Sequence, residues 1–201
     1  MNLFDGCEKQ QLANGLAWLR EPLEWRFDEG KLLVVPEAET DFFRPYKGEP
    51  KDNASLLYLP VQGDFTAVTQ VSAHLVAFGD AAALTVRASE AQWAKLCLER
   101  SPIGDSSVVS VVTHPWSDDA NNELVPSPSC YLRVTRRGDV FGMHYSLDGR
   151  SWRFVRTFGM PLPETVMVGI HAQAPFEGGC HATFTRFELT GETVKDFRSG
   201  E

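Results

Sequence analysis

The stretch from Tyr131 to Arg156, YLRVTRRGDVFGMHYSLDGRSWRFVR, limits the possible folds more than any other part of the chain. It reads as three short strands joined by two tight turns. Arg137-Gly138-Asp139 breaks the first alternating run and Asp148-Gly149 the second. Gly149 can take the positive φ that a hairpin turn demands. An antiparallel meander is expected here.

The remaining segments carry the same kind of pattern. Trp25-Arg26-Phe27, the turn Asp28-Glu29-Gly30 and Leu32 to Val35 form a hairpin bounded by Pro22 and Pro36, which deny ladder donors at its limits. Thr40 to Arg44 reads as a further strand, Lys47 to Asn53 as a surface loop, and Ser55 to Val61 as a strand. Phe65 to Leu75 spaces Phe65, Val68, Val71 and Leu75 as a helix would, but Thr66, Val68, Thr69 and Val71 are β-branched, which favours a strand. Ala81 to Ala88 follows as a strand.

Gln92 to Glu99 admits two readings. As a helix, Ser89 would cap a run containing Ala91, Ala94, Leu96 and Leu98. As a strand, Trp93, Lys95, Cys97 and Glu99 share one face and Ala94, Leu96 and Leu98 the other. The short length and alternating neighbours favour the strand. Val108 to Thr113, Val166 to Ala174 and His181 to Leu189 are further strands, whereas Trp116 to Ser129, rich in Asp, Asn and Pro, is expected to be a long loop. About twelve short strands and no helix imply two packed antiparallel sheets.

At 201 residues with no low-complexity linker, one domain is expected, with a sandwich core over about 16–190 and a loosely held tail from 191 to 201. Acidic residues outnumber basic ones 27 to 19, the formal charge is -8, and no basic block occurs, so nucleic-acid binding is not expected. The N-terminus lacks the pattern of a secretory signal, and no apolar run approaches the ~20 residues that span a bilayer. These features predict a soluble, cytoplasmic protein without membrane partners. Cys7, Cys97, Cys130 and Cys180 are scattered, which favours free thiols over disulfides or zinc.

Seven stretches in order, TDFFR, GDF, WAKLCLER, SVVTHPWSDD, YLRVTRRGD, YSLDGRSW and VMVGIHAQAP, resemble the family known as domain of unknown function 1349, which includes a yeast protein named for regulation of enolase. The resemblance spans about Trp18 to Leu189. It implies an all-β, concanavalin A-like jelly-roll sandwich of two antiparallel sheets, one concave and forming a groove. It also implies no established enzymatic activity. Two positions depart from the family's habit: Trp116 precedes Ser117-Asp118, and the frequent Thr-Asp-Phe-Trp reads Thr40-Asp41-Phe42-Phe43.

If Gln92 to Glu99 lies in the curved sheet, Trp93, Lys95 and Glu99 should sit in that groove near Arg87, Arg133 and His171, with Gln173 at its margin. Aromatic surface beside fixed polar groups suits a carbohydrate or small polar metabolite. The bland alternative is an ordinary Lys95–Glu99 ion pair on a wet sheet face.

Hydrolysis finds little support. Jelly-roll glucanases take their paired carboxyls from Glu-x-Asp-x-(x)-Glu on one strand, and that pattern is absent. A set drawn from Ser110, His171 and Asp80 has no Gly-x-Ser-x-Gly elbow. Asp118, Asp119, Asn121, Asn122 and Glu123 lack EF-hand spacing, so no metal and no cofactor is expected. A protein partner, a metabolic enzyme such as enolase, is the other reading, with the Trp116 to Ser129 segment as the docking element.

Overall fold

The computed structural model describes residues 2–201. Sixteen strands, numbered β1 to β16 in chain order, and no helix occur among the described residues. Seven strands form one sheet in the spatial order β1 (Ala17–Leu19), β6 (Leu56–Gln62), β15 (Thr165–Gln173), β8 (Ala81–Ser89), β9 (Gln92–Arg100), β10 (Ser106–Thr113) and β11 (Ser117–Leu124). Seven more form the second sheet: β14 (Arg153–Gly159), β13 (Val140–Ser146), β12 (Ser129–Arg137), β7 (Phe65–His74), β16 (His181–Thr190), β3 (Lys31–Val35) and β2 (Glu24–Asp28). The remaining pair, β4 (Phe42–Phe43) and β5 (Lys51–Asp52), is a small separate hairpin. The architecture is a jelly-roll sandwich, with the meander β12–β13–β14 at one side of the second sheet.

Alternation explains the main core. On β9, Ala94, Leu96 and Leu98 point between the sheets, where they join residues such as Leu132, Val134 and Phe184 of the opposing layer. The other face of β9 is also dry. Trp93 and Cys97, with Ala81 and Ala83 of β8 and Val109 and Val111 of β10, form a second apolar cluster on the outside of the first sheet. Phe42 of the β4–β5 hairpin seats on that cluster and is fully buried, a burial worth about 1.5–3 kcal/mol. Residues 81–87 of β8 are consequently buried on both faces.

Three expectations from sequence need correction. Ser117–Leu124 is not a loop but the edge strand β11, paired with β10. Backbone pairing at an edge tolerates polar side chains on both faces, so alternation leaves no apolar trace there. Thr40 to Arg44 contributes only the two residues of β4.

The tail is not loose. Val194 and Phe197 are buried against the outside of the second sheet. Arg133 donates to the Gly200 carbonyl (2.8 Å), Arg137 to that of Lys195 (3.0 Å), and the His144 ring nitrogen Nε2 meets that of Phe197 (2.7 Å). Gly142 makes room: a Cβ there would lie 2.7 Å from the Phe197 ring.

Candidate functional site

Strand register places the outward residues of the first sheet in rows. Lys95 stands opposite Thr85 and Val111, and Val111 opposite Asp119. Glu99 stands opposite Ala81 and Ser107, and Ala81 opposite Gln173. Directly opposed residues of an antiparallel pair share a face, so Lys95, Glu99, Gln173 and Asp119 project to the same side. That side carries the β4–β5 hairpin over part of its area and an open cleft of about 200 Å³ beside it.

Two ion pairs fasten the hairpin segment to the sheet. Lys95, only 2% exposed, donates to Asp41 Oδ1 at 3.0 Å and to Gln173 Oε1 at 2.8 Å. Arg87 grips Asp52 with two bonds of 2.6 and 2.8 Å. Phe42 lies between them, edge-on to His171 at 5.0 Å and 5.1 Å beneath the Arg87 guanidinium. Instead of the alternative Lys95–Glu99 pair on a wet face, Lys95 pairs with Asp41 on a largely buried one.

His171 is fully committed inside this layer. Its Nε2 faces the acceptor Gln173 Oε1 (3.2 Å) and so donates, and its Nδ1 shares a hydrogen bond with the Thr85 hydroxyl (3.0 Å), which accepts from or donates to the ring. Burial, reinforced by Lys95 and Arg87, pushes its pKa down to about 3. For Lys95, burial alone would depress the pKa, but Asp41, with Cys97 and Glu99 behind it, holds the ammonium above its usual range.

Glu99 is different. It lies half-buried in the cleft wall, and among the described residues it gains no hydrogen bond. Burial, together with the charges of Asp41 and Asp119 and against the pull of Lys95, raises its pKa to about 7. The cleft thus holds a carboxyl group that can act as donor or acceptor near neutral pH.

Above this polar floor the walls are apolar. Val109, Val111, Phe43, Pro175 and the stacked pair Phe78–Phe176 line the cleft. The two rings stand 5.9 Å apart at 27° and remain 48% and 55% exposed. Such exposed aromatic surface beside convergent polar groups is the usual make-up of a small-ligand site.

Of the residues that sequence points to, Lys95, Glu99 and Gln173 line the cleft. Arg87, Trp93 and His171 share the same face but are buried beneath the hairpin. Arg133 belongs to the other layer: β12 pairs with β7 and β13, and its guanidinium stacks 4.1 Å over Trp152 beneath the tail. Asp41, Phe43, Phe78, Asp119 and Phe176 escape the sequence reading because all but Asp119 come from the hairpin segment and connections. Asp119 sits in a polar segment whose composition reads as a loop.

The acidic run on β11 is divided by alternation. Asp119 faces the cleft and Asp118 the opposite side, where it pairs with Arg156; a register shift between the Ser107–Leu124 and Val109–Asn121 pairs then brings Glu123 to that same side, against Arg153 of β14, and the two pairs close the sandwich edge. Ser110 and His171 point to opposite faces of the first sheet, and the Asp80 carboxylate accepts from the amides of Val76 and Ala77. No triad forms.

Comparison with known proteins gives four findings. The profile of a family described as "Protein of unknown function (DUF1349)" matches residues 18–192. "Regulation of enolase protein 1" of Saccharomyces cerevisiae is 29% identical over 187 residues, covering 92% of this chain and 93% of the yeast protein. A crystal structure of a functionally unknown protein from Saccharomyces cerevisiae superposes with a TM-score of 0.83 at 28% identity, over 89% of this chain and 97% of that one. The GH43 protein BlXynB from Bacillus licheniformis shares the fold, at a TM-score of 0.74 and 17% identity, over 95% of this chain and 39% of that one.

Proposed function

This chain belongs to the DUF1349 family of proteins of unknown function, and from that premise we propose that it is a non-catalytic binding protein whose cleft takes one small polyhydroxylated ligand, a sugar residue or comparable polar metabolite. The observation that carries this reading is the half-buried Glu99 carboxyl, unbonded within the protein, at the base of an aromatic-rimmed cleft. A carboxyl with no partner in the protein and open to a cleft is free to bond a ligand's donors. A ring presenting hydroxyls downward and CH faces to Phe78 and Phe176 would satisfy both surfaces. The four free cysteines fit a reducing, cytoplasmic setting.

Titration calorimetry of the full chain against a panel of neutral and amino monosaccharides and polyols tests this reading. Heat with at least one of them, lost in Phe176→Ala, is the expected result. No heat from the panel at millimolar concentration would overturn it.

A second reading follows from the yeast relative, which is named as a regulator: this chain also acts on a metabolic enzyme such as enolase by direct contact. Tyr46 and Trp116, a T-shaped pair at 5.8 Å, are 74% and 45% exposed and offer the aromatic anchor such contacts use. Tyr46→Ala/Trp116→Ala should then release enolase in a pull-down with purified enzyme. Equal retention by both proteins would remove this surface.

A further inference from the structure

We infer that the ligand of the cleft carries a positively charged amine on its hydroxylated frame, an amino sugar and not a neutral or phosphorylated one. The inference rests on the cleft being a ligand site, as proposed above.

The charge count of the lining comes first. Asp41, Glu99 and Asp119 face the cleft with one cation, Lys95. Asp41 cancels that cation at 3.0 Å, which leaves the carboxyls of Glu99 and Asp119 without a counter-charge. Neighbouring cations do not supply one. Arg87 is held by Asp52, and Lys51 donates to the Pro175 carbonyl and lies 5.6 Å from the centre of the Phe176 ring, at the rim and not among the lining residues.

The hydrogen-bond inventory points the same way. Lys95 spends two of its three donors on Asp41 and Gln173. Gln173 accepts from Lys95 and His171 through both lone pairs of Oε1 and gives one of its two amide hydrogens to the Gly79 carbonyl (3.0 Å), so beside the about eight lone pairs of the two carboxylates only one N–H of Gln173 and one of Lys95 remain. What remains is acceptor-rich, and a ligand that fits must donate. Phe43 and Phe78 add aromatic faces, whose quadrupole attracts an ammonium more strongly than a neutral hydroxyl, as the Lys51 ammonium over Phe176 illustrates. A phosphate would instead meet two uncompensated carboxyls.

Binding of an ammonium has a proton consequence. The groups facing Glu99 are Lys95 and Cys97 on its own strand, Asp41 of the hairpin segment and Asp119 of β11, with neutral Ala81 and Ser107 beside it. An arriving ammonium favours the ionised carboxyl, so Glu99 gives its proton to solvent as the ion pair forms.

The test is calorimetric titration of the full chain with D-glucosamine, D-glucose and D-glucose 6-phosphate, at pH 7.3 and about pH 5.5, in two buffers of different protonation enthalpy. At the higher pH, glucosamine should bind about tenfold more tightly than glucose, a gap of ~1.4 kcal/mol, with more protons released, or fewer taken up, than in Glu99→Gln, because the sugar amine itself titrates near this pH and contributes equally to both proteins. The gap should shrink at the lower pH, and glucose 6-phosphate should give no heat. Glu99→Gln and Asp119→Asn, each checked for a cooperative melting transition no lower than that of the wild type, should bring glucosamine and glucose toward equal affinity. Equal affinity in the wild type, or a preference that survives both substitutions, would overturn the amine while leaving the cleft reading intact. No heat from either sugar would remove both.

Discussion

Lys95 Nζ and Asp41 Oδ1 stand 3.0 Å apart across the junction between sheet and hairpin, with both residues buried. Removing one partner strands the other charge in a dry layer. Asp41→Ala is expected to cost about 3–5 kcal/mol in urea unfolding, and Asp41→Ala/Lys95→Met to recover most of that loss. A single substitution costing under ~1 kcal/mol would instead be the behaviour of a solvent-exposed pair.

Glu99 makes stability depend on pH in a definite direction. Its folded pKa of about 7 lies above its unfolded value, so its contribution is full below the unfolded pKa and is lost as pH rises through about 7. Relative to wild type, Glu99→Gln should therefore gain stability between about pH 4.5 and 8, by on the order of 1–3 kcal/mol. A flat difference across that range would show that the carboxyl is freely solvated.

The buried histidines act with the opposite sign. Folded pKa values of about 3 for His171 and about 4 for His144, both set first by burial, lie below the unfolded value. Stability from the two rings is full above roughly pH 6.5 and falls as pH drops through that value toward 4. Proton NMR should show neither ring titrating between pH 8 and about 5. A midpoint inside that interval would place the ring in contact with water.

The tail gives a prediction of its own. Phe197→Ala removes the ring packed over Gly142, and Gly142→Ala puts a Cβ 2.7 Å from where that ring lies. Each should undock residues 192–201, with Phe197→Ala costing about 3 kcal/mol. Trypsin should then cut rapidly at Lys195 and Arg198 in both variants and slowly in wild type. Equal cutting rates would mean that the segment is not held.

Alternation made most of the sandwich legible in advance. Phe65–His74 and Gln92–Arg100, where helical spacing competed, are strands; β-branching at Thr66, Val68, Thr69 and Val71 favoured that reading of the first, and short length with alternating neighbours that of the second. The polar strand β11 was not legible, because its side chains answer to Arg153 and Arg156 of another sheet and to a cleft, and not to a core. Arg133 was misplaced for a related reason. Period-two patterning says which residues share a face of one strand, but not which sheet that strand joins. The outer apolar cluster was hidden too, since nothing local marks Phe42 as the residue that dries the far side of β8 and β9.

A layer screened from solvent on its two sides has no spare surface on which substitutions are neutral. Lys95, Cys97 and Ala83 are pinned from above by Phe42 and its hairpin as firmly as Leu96 and Leu84 are pinned from below. Divergence in what this pocket accepts is thereby channelled into the segments crossing over it. Phe43, Phe78 and Phe176 can change while the platform underneath stays constant.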